Sequence, residues 1–184
     1  VSIVSSKPQT TRRVIRGMGY GKTEPRKELG LLAMMHPNVF VAQTTAAHWN
    51  HFYRSVMAAN EFPGPAVVLC NATCQPEHGV ADHSSDHQAR LAVDSRTFPL
   101  AIHDPRKGPR FRDRLDLKGN PALTEDWYKD PKTGKVVDFI SWARTEGRFS
   151  KQFDAEGQPA PTLLAANEDR LQNWRRLQEL AGIA

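Results

Sequence analysis

Two cysteines and three histidines crowd one stretch of the chain: Cys70, Cys74, His78, His83 and His87. These residue types bind zinc, and the spacing of His83 and His87 puts them on one face of a helix. The close Cys-x-x-Cys pair of a structural zinc site is absent, and Cys70 ends an apolar run. The residues read as a core cysteine and a polar helix surface, with no metal expected. Ser84-Ser85-Asp86-His87 holds hydrolase side chains but no nucleophile elbow. Gly17-Met18-Gly19-Tyr20-Gly21-Lys22-Thr23 ends like a phosphate-binding loop, yet the first required glycine is Arg16. No strand precedes it and Pro25 follows, so it reads as a glycine-rich turn. Lys107 to Arg114 is basic with a single aromatic, Phe111, and matches no nucleic-acid-binding module.

Short apolar runs separated by helical patterns must position these residues. Glu28 to Met35 suits a short buried helix. Asn38 to Ala42 reads as a buried strand. Trp49, Phe52, Tyr53, Val56 and Met57 recur at spacings of three and four, which predicts a helix with that face buried. Pro63-Gly64-Pro65 ends it. Ala66 to Cys70 is apolar at every position, as a parallel strand covered on both faces requires. A polar loop runs from Asn71 to Gly79, a helix from about Ser84 to Val93, and a strand over Phe98 to Ile102. Strand, helix, strand, helix, strand at this spacing predicts a right-handed βαβ arrangement in an open sheet.

After Asp104 the character changes. Residues 105 to 135 are rich in Pro, Gly and charge and read as an extended arm. Val136 to Arg144 suits a short helix. The last helix is expected from about Ala166 to Ala181, capped by Asn167 or Thr162, with Leu171, Trp174, Leu177 and Leu180 in one stripe. The division expected is 1–104 and 105–184.

The 184 residues suffice for one sizeable core. Charged residues make up 24%, and no apolar run approaches the roughly 18 residues of a membrane span. Two cysteines are too few for a disulfide framework, which points to a reducing, cytoplasmic setting. The net charge of +5 fits a partner surface better than nucleic acid.

Read together, several segments resemble the thiamine-diphosphate domain of the pyruvate:ferredoxin (flavodoxin) oxidoreductase family. The likeness begins at Ser6-Lys7 and continues through Lys27-Glu28-Leu29-Gly30-Leu31-Leu32-Ala33-Met34. Asn38-Val39-Phe40-Val41-Ala42-Gln43 is close to the family's N-V-Y-V-A-Q. Ala58-Ala59-Asn60-Glu61-Phe62-Pro63-Gly64-Pro65 is similar to E-A-E-A-Y-P-G-P, and Cys74-Gln75-Pro76-Glu77-His78-Gly79 to C-I-x-H-G. Phe98-Pro99-Leu100 falls where the family has W-P-L. The likeness covers roughly the first hundred residues in collinear order, and the tail is similar in general style only.

The resemblance implies an α/β fold: an open, mostly parallel sheet with flanking helices, part of a thiamine-diphosphate-binding fold, followed by an irregular and helical C-terminal extension. It implies oxidative decarboxylation of a 2-oxoacid such as pyruvate on thiamine diphosphate held through magnesium. Coenzyme A takes the acyl group, and iron–sulfur clusters pass electrons to ferredoxin or flavodoxin. The family's magnesium-anchoring G-D-G occurs nowhere in this chain, and its S-N-T-G-G-Q segment would overlap Val1-Ser2-Ile3-Val4 without matching it. The magnesium ligands are therefore expected before Val1, on another chain, or lost. Two cysteines cannot hold a four-iron cluster. The expectation is a part of an oligomeric enzyme, inactive and cofactor-free alone, with the loop carrying Cys74, His78 and Gly79 facing the ligand crevice. The competing expectation is a non-catalytic assembly module derived from that domain.

Overall fold

The computed structural model describes residues 25–183. The glycine-rich segment Gly17–Thr23, Ser6-Lys7 and Val1–Val4 lie outside them. The elements in chain order are α1 (Leu29–Met34), β1 (Phe40–Thr45), α2 (Trp49–Glu61), β2 (Ala66–Asn71), α3 (Gln75–His78), a 3-10 turn (Asp82–Ser84), α4 (Ser85–Asp94) and β3 (Ala101–His103). A second 3-10 turn (Pro105–Lys107), α5 (Phe111–Arg114), β4 (Leu115–Asp116), β5 (Tyr128–Lys129) and β6 (Val136–Val137) follow. The chain then forms α6 (Phe139–Arg144), a 3-10 segment (Gly147–Gln152) and α7 (Pro161–Ala181).

The main sheet has the order β2-β1-β3-β4. β1 and β2 run parallel over six residue pairs, from Phe40 opposite Ala66 to Thr45 opposite Asn71, with α2 as their crossover. The class is the α/β sheet with flanking helices that the sequence indicates, and its main ladder is parallel. The repeat does not continue into a third parallel strand: β3 runs antiparallel to β1 and β4 antiparallel to β3. The reason lies in α4, whose Ala92 packs with Phe139, Trp142 and Ala143 in a separate helical cluster instead of on the sheet. No crossover helix returns the chain along the sheet, so it re-enters from the other end.

β1 is central and buried at all six positions, which accounts for its apolar composition. Val41 shares a cluster with Met34, Ala101, Leu115, Leu117, Trp174 and Leu177, so α1 and α7 cover that face. Phe40, Ala42 and Phe62 form the opposite cluster beneath α2. The stretch after Asp104 is thus more than an arm, since Leu115 and Leu117 enter the first cluster. α7 begins at Pro161, a residue suited to a first helical turn, and ends at the left-handed Gly182. Asn167, expected as its cap, lies inside the helix, where its Oδ1 accepts the Phe139 N–H at 3.1 Å.

Two sequence expectations are corrected here. β2 is an edge strand, largely exposed or half-buried, not covered on both faces. α2 is turned relative to its apolar stripe: His51 and Ser55 are buried, while Trp49, Tyr53 and Met57 are exposed. Small and polar side chains fit closely under the helix, with Ser55 Oγ donating to the His51 carbonyl at 2.7 Å and Thr44 Oγ1 2.9 Å from His51 Nδ1.

Two groups, the half-buried Glu28 and the buried His51, give the fold an acid sensitivity. Glu28 lies 2.6 Å from Arg170 and 2.9 Å from Arg26. Burial alone would raise its pKa, but these two guanidiniums hold the carboxyl down at about 2. His51 is 4% exposed, and burial, then Arg54 and His48, push it down to about 4. Both groups bind fewer protons folded than unfolded, so acidification favours unfolding. The His51 contribution is present above pH about 6.5 and is lost as pH falls through about 4. That of Glu28 is present above about 4.5 and is lost toward about 2. Each shift corresponds to roughly 3 kcal/mol. Thermal melts at pH 7.5, 5 and 3 should fall in two stages, with His51→Gln flattening the upper and Glu28→Gln the lower. A melting temperature level from pH 7.5 to 4 would refute the His51 assignment.

Candidate functional site

The loop at the C-terminal end of β2 occupies the place where open α/β sheets put their ligands. Its shape is set locally. Pro76 stands in the first turn of the four-residue α3, Cys74 is the N-cap, and Gly79 closes the turn at φ +64°, a left-handed backbone that suits glycine. The His78 N–H donates to the Cys74 carbonyl at 2.8 Å, and Val80 N–H to the Gln75 carbonyl at 3.1 Å. The Gln75 side chain donates to Ser85 Oγ, tying the loop to the start of α4.

A distant segment then holds the loop. Gly147 N–H donates to the Gly79 carbonyl at 3.2 Å, and a Cβ on Gly147 would lie 2.9 Å from that oxygen. Glu146, 2% exposed, sits beneath. Its Oε1 is 3.4 Å from His78 Nδ1 and accepts from Gln88 Nε2 at 3.1 Å, and its Oε2 accepts from Arg148 Nε at 2.5 Å. Burial lowers the Arg148 pKa, and Glu146 opposes that shift. The Arg148 guanidinium also lies 4.9 Å from the Phe149 ring centre and 5.4 Å from that of Trp142. Pro76, Glu77, Gly79, Gly147 and Arg148 line an open cavity of about 440 Å³.

The sequence-predicted residues therefore divide. His78 and Gly79 are brought together with Glu146, Gly147 and Arg148, while the Cys74 side chain is exposed. Cys70 is half-buried on β2, and burial pushes its thiol up. A thiol reagent should modify Cys74 rapidly and Cys70 slowly at pH 7.5; equal rates by peptide mapping would contradict this placement. His83 stands in the 3-10 turn and His87 on α4, both exposed, so they do not share a helix face. Among the described residues no group of three or more His, Cys, Asp or Glu is placed to hold a metal ion. The described residues thus do not by themselves fit magnesium, and two cysteines supply half the thiolates of a four-iron cluster.

The basic segment and its flank are partly tied down by local bonds. Arg110 pairs with Asp113 at 3.0 Å, Arg106 with Asp104 at 2.8 Å, and Arg114 Nε donates to the Gly108 carbonyl at 2.6 Å. It borders a second, larger cleft of about 700 Å³ whose lining includes Arg54, Glu61, Ile102 and Lys118. Sequence reasoning missed Glu146 and Arg148: they lie far along the chain from His78, and no spacing links them. The His51–Thr44 contact was missed as well, and its only trace is a histidine four residues before Ser55.

No family profile matches the chain. It is 30% identical over 166 residues to the pyruvate-flavodoxin oxidoreductase of Rhodospirillum rubrum, covering 89% of this chain and 13% of that protein. It is 27% identical over 177 residues to the pyruvate:ferredoxin oxidoreductase of Moorella thermoacetica, covering 95% of the chain and 14% of that protein. A probable pyruvate-flavodoxin oxidoreductase of Escherichia coli is 32% identical over 161 residues, covering 82% and 14%. The alignments run well past Asp104, further than the motifs alone reached. The chain spans about one-seventh of the length of these curated relatives. No helix among the described residues is long and apolar enough to cross a membrane. With its likeness holding over most of its own length, the chain belongs, as a partial segment, to the pyruvate:ferredoxin (flavodoxin) oxidoreductase family.

Proposed function

We propose that these residues work as the C-terminal part of the thiamine-diphosphate-binding domain of a cytoplasmic 2-oxoacid oxidoreductase, with pyruvate as the oxoacid. Similarity to three curated pyruvate oxidoreductases over 82–95% of the chain supports this reading. Residues 1–104 belong to that domain and 105–184 extend it. Thiamine diphosphate, its magnesium and the iron–sulfur clusters are carried with the help of other parts of the enzyme, and the chain alone is inactive. Electrons leave to ferredoxin or flavodoxin, and coenzyme A accepts the acyl group. In this reading Cys74, His78 and Gly79 face the cofactor or a neighbouring domain, as loops at strand ends do. His78, held near Glu146, gives that loop one fixed shape.

The test is to isolate the protein containing these residues from its source and measure pyruvate- and coenzyme-A-dependent reduction of a low-potential acceptor. Thiamine diphosphate and iron are assayed on the same sample. Activity with both cofactors in the large assembly, and none in the 184-residue chain, is the expected result. A cofactor-free assembly without pyruvate-dependent reduction overturns it. The second reading, an assembly module derived from the domain, then stands, favoured by the Val1 to Val4 stretch, which does not match the family's segment.

A further inference from the structure

The second cleft stands at the other end of the parallel ladder from the Cys74 loop. Phe40, the first residue of β1, lines it, and the loop follows Asn71, the last residue of β2. α2 rests on β1 and β2, and the cleft opens beside it over β3 and β4. Ile102, Leu123 and Ile183, all half-buried, give it apolar walls. At about 700 Å³ it is large enough for a small organic ligand.

The charges around it do not cancel. Of its four carboxylates, Asp104 is bound by Arg106 at 2.8 Å and Asp113 by Arg110 at 3.0 Å. Glu61 and Asp116 remain, against Arg54, Lys107, Arg114 and Lys118, none of which is ion-paired among the described residues. Arg114 is the most constrained of the four. It is half-buried, and its Nε and Nη2 donate to the Gly108 and Pro109 carbonyls at 2.6 and 3.1 Å. Neutral carbonyls orient a guanidinium without cancelling its charge, and Nη1 has no bond among the described residues. A net positive rim beside low-dielectric walls concentrates anions.

We propose that this cleft binds a phosphate monoester with a flat apolar body, of nucleoside monophosphate size. Arg114 holds the phosphate, the other free cations balance its second charge, and Ile102 and Leu123 take the body. A dianion matches four free cations set against two carboxylates, and a fork of guanidinium donors suits phosphate oxygens. A nucleic-acid backbone is a poorer match, because Glu61 and Asp116 share the rim and repel a run of phosphates. The binding does not depend on the oxidoreductase reading.

Calorimetric titration of the 184-residue chain with AMP, adenosine, glucose 6-phosphate and inorganic phosphate tests the proposal, with amide chemical shifts locating the site. AMP should bind at least about tenfold more tightly than each of the other three and move the amides of Ile102, Arg114 and Lys118. Arg114→Gln should weaken AMP about tenfold, as the loss of a charged hydrogen bond does. The Arg54→Gln, Lys118→Gln double variant should weaken it similarly with an unchanged melting temperature, because both side chains are exposed. Adenosine as tight as AMP overturns the cationic rim, and glucose 6-phosphate or inorganic phosphate as tight overturns the apolar walls; either result removes the proposal. Tighter binding of random RNA or duplex DNA, lost steeply with salt, overturns it in favour of a nucleic-acid surface. Shifts confined to residues outside the cleft, or no binding at about 10 mM AMP, overturn it as well.

Discussion

Glu146→Ala should cost about 3–5 kcal/mol of folding stability, because it leaves the nearly buried Arg148 without its counter-charge. The damage is directional. Glu146 also faces His78 and accepts from Gln88, so three chain segments lose a common partner. The loop from Asn71 to Gly79 should loosen first, since Gly147 N–H donating to the Gly79 carbonyl is the next bond along. A denaturant titration reads the total loss, and limited proteolysis locates it. Glu146→Gln keeps the shape and one acceptor but not the charge, so its loss should be smaller than that of alanine. If Glu146→Ala unfolds within about 1 kcal/mol of the parent, the cluster is not what holds the loop, since a lone surface pair contributes no more.

Trp174→Ala should be comparably severe, at about 3–5 kcal/mol. The indole is fully buried in the cluster with Val41, Leu115 and Leu117. Its N–H donates to the Glu125 carbonyl at 2.9 Å, and the Arg96 guanidinium lies 4.0 Å from the centre of its ring. Arg96 is itself buried, which pushes its pKa down to about 10 against the opposing pull of Asp94 and Asp126. Removing the indole takes away a favourable face for that charge as well as apolar volume. For a chain of this size the melting temperature should fall by roughly 10 °C. Trp174→Phe retains a ring but not the N–H, so its loss should be about half. Equal losses for Phe and Ala would mean that the hydrogen bond, not the packing, dominates.

Much of the framework was legible because local chemistry decided it. Phe40 to Ala42 and Ala66 to Cys70 are strands where unbroken apolar runs predict them, and Pro63-Gly64-Pro65 ends α2 where it must. The rotation of α2 was not legible. Trp49, Tyr53 and Met57 form an inward stripe by hydrophobicity, yet His51 and Ser55 take the sheet. A stripe reports that a face is to be covered but not by which neighbour, and α2 has apolar demand on both sides. The reversal of β3 was hidden for a related reason: nothing in Ser85 to Asp94 says that the helix docks on α6 and not on the sheet. At the candidate site the loop was legible from Cys74, His78 and Gly79. Glu146 and Arg148 were not, because their pairing with the loop exists only after both segments fold.

The sharing of one cluster by Met34, Val41, Trp174 and Leu177 also sets an order of events during synthesis. Helix α1 and strand β1 are made early, but the face they present to α7 has no lid until residue 177 has been added. Contacts so distant along the chain close slowly, and a nascent chain with an open apolar face is prone to clumping until they do. Closure of this cluster therefore waits for α7, and chaperone demand should concentrate in the interval between β1 and α7.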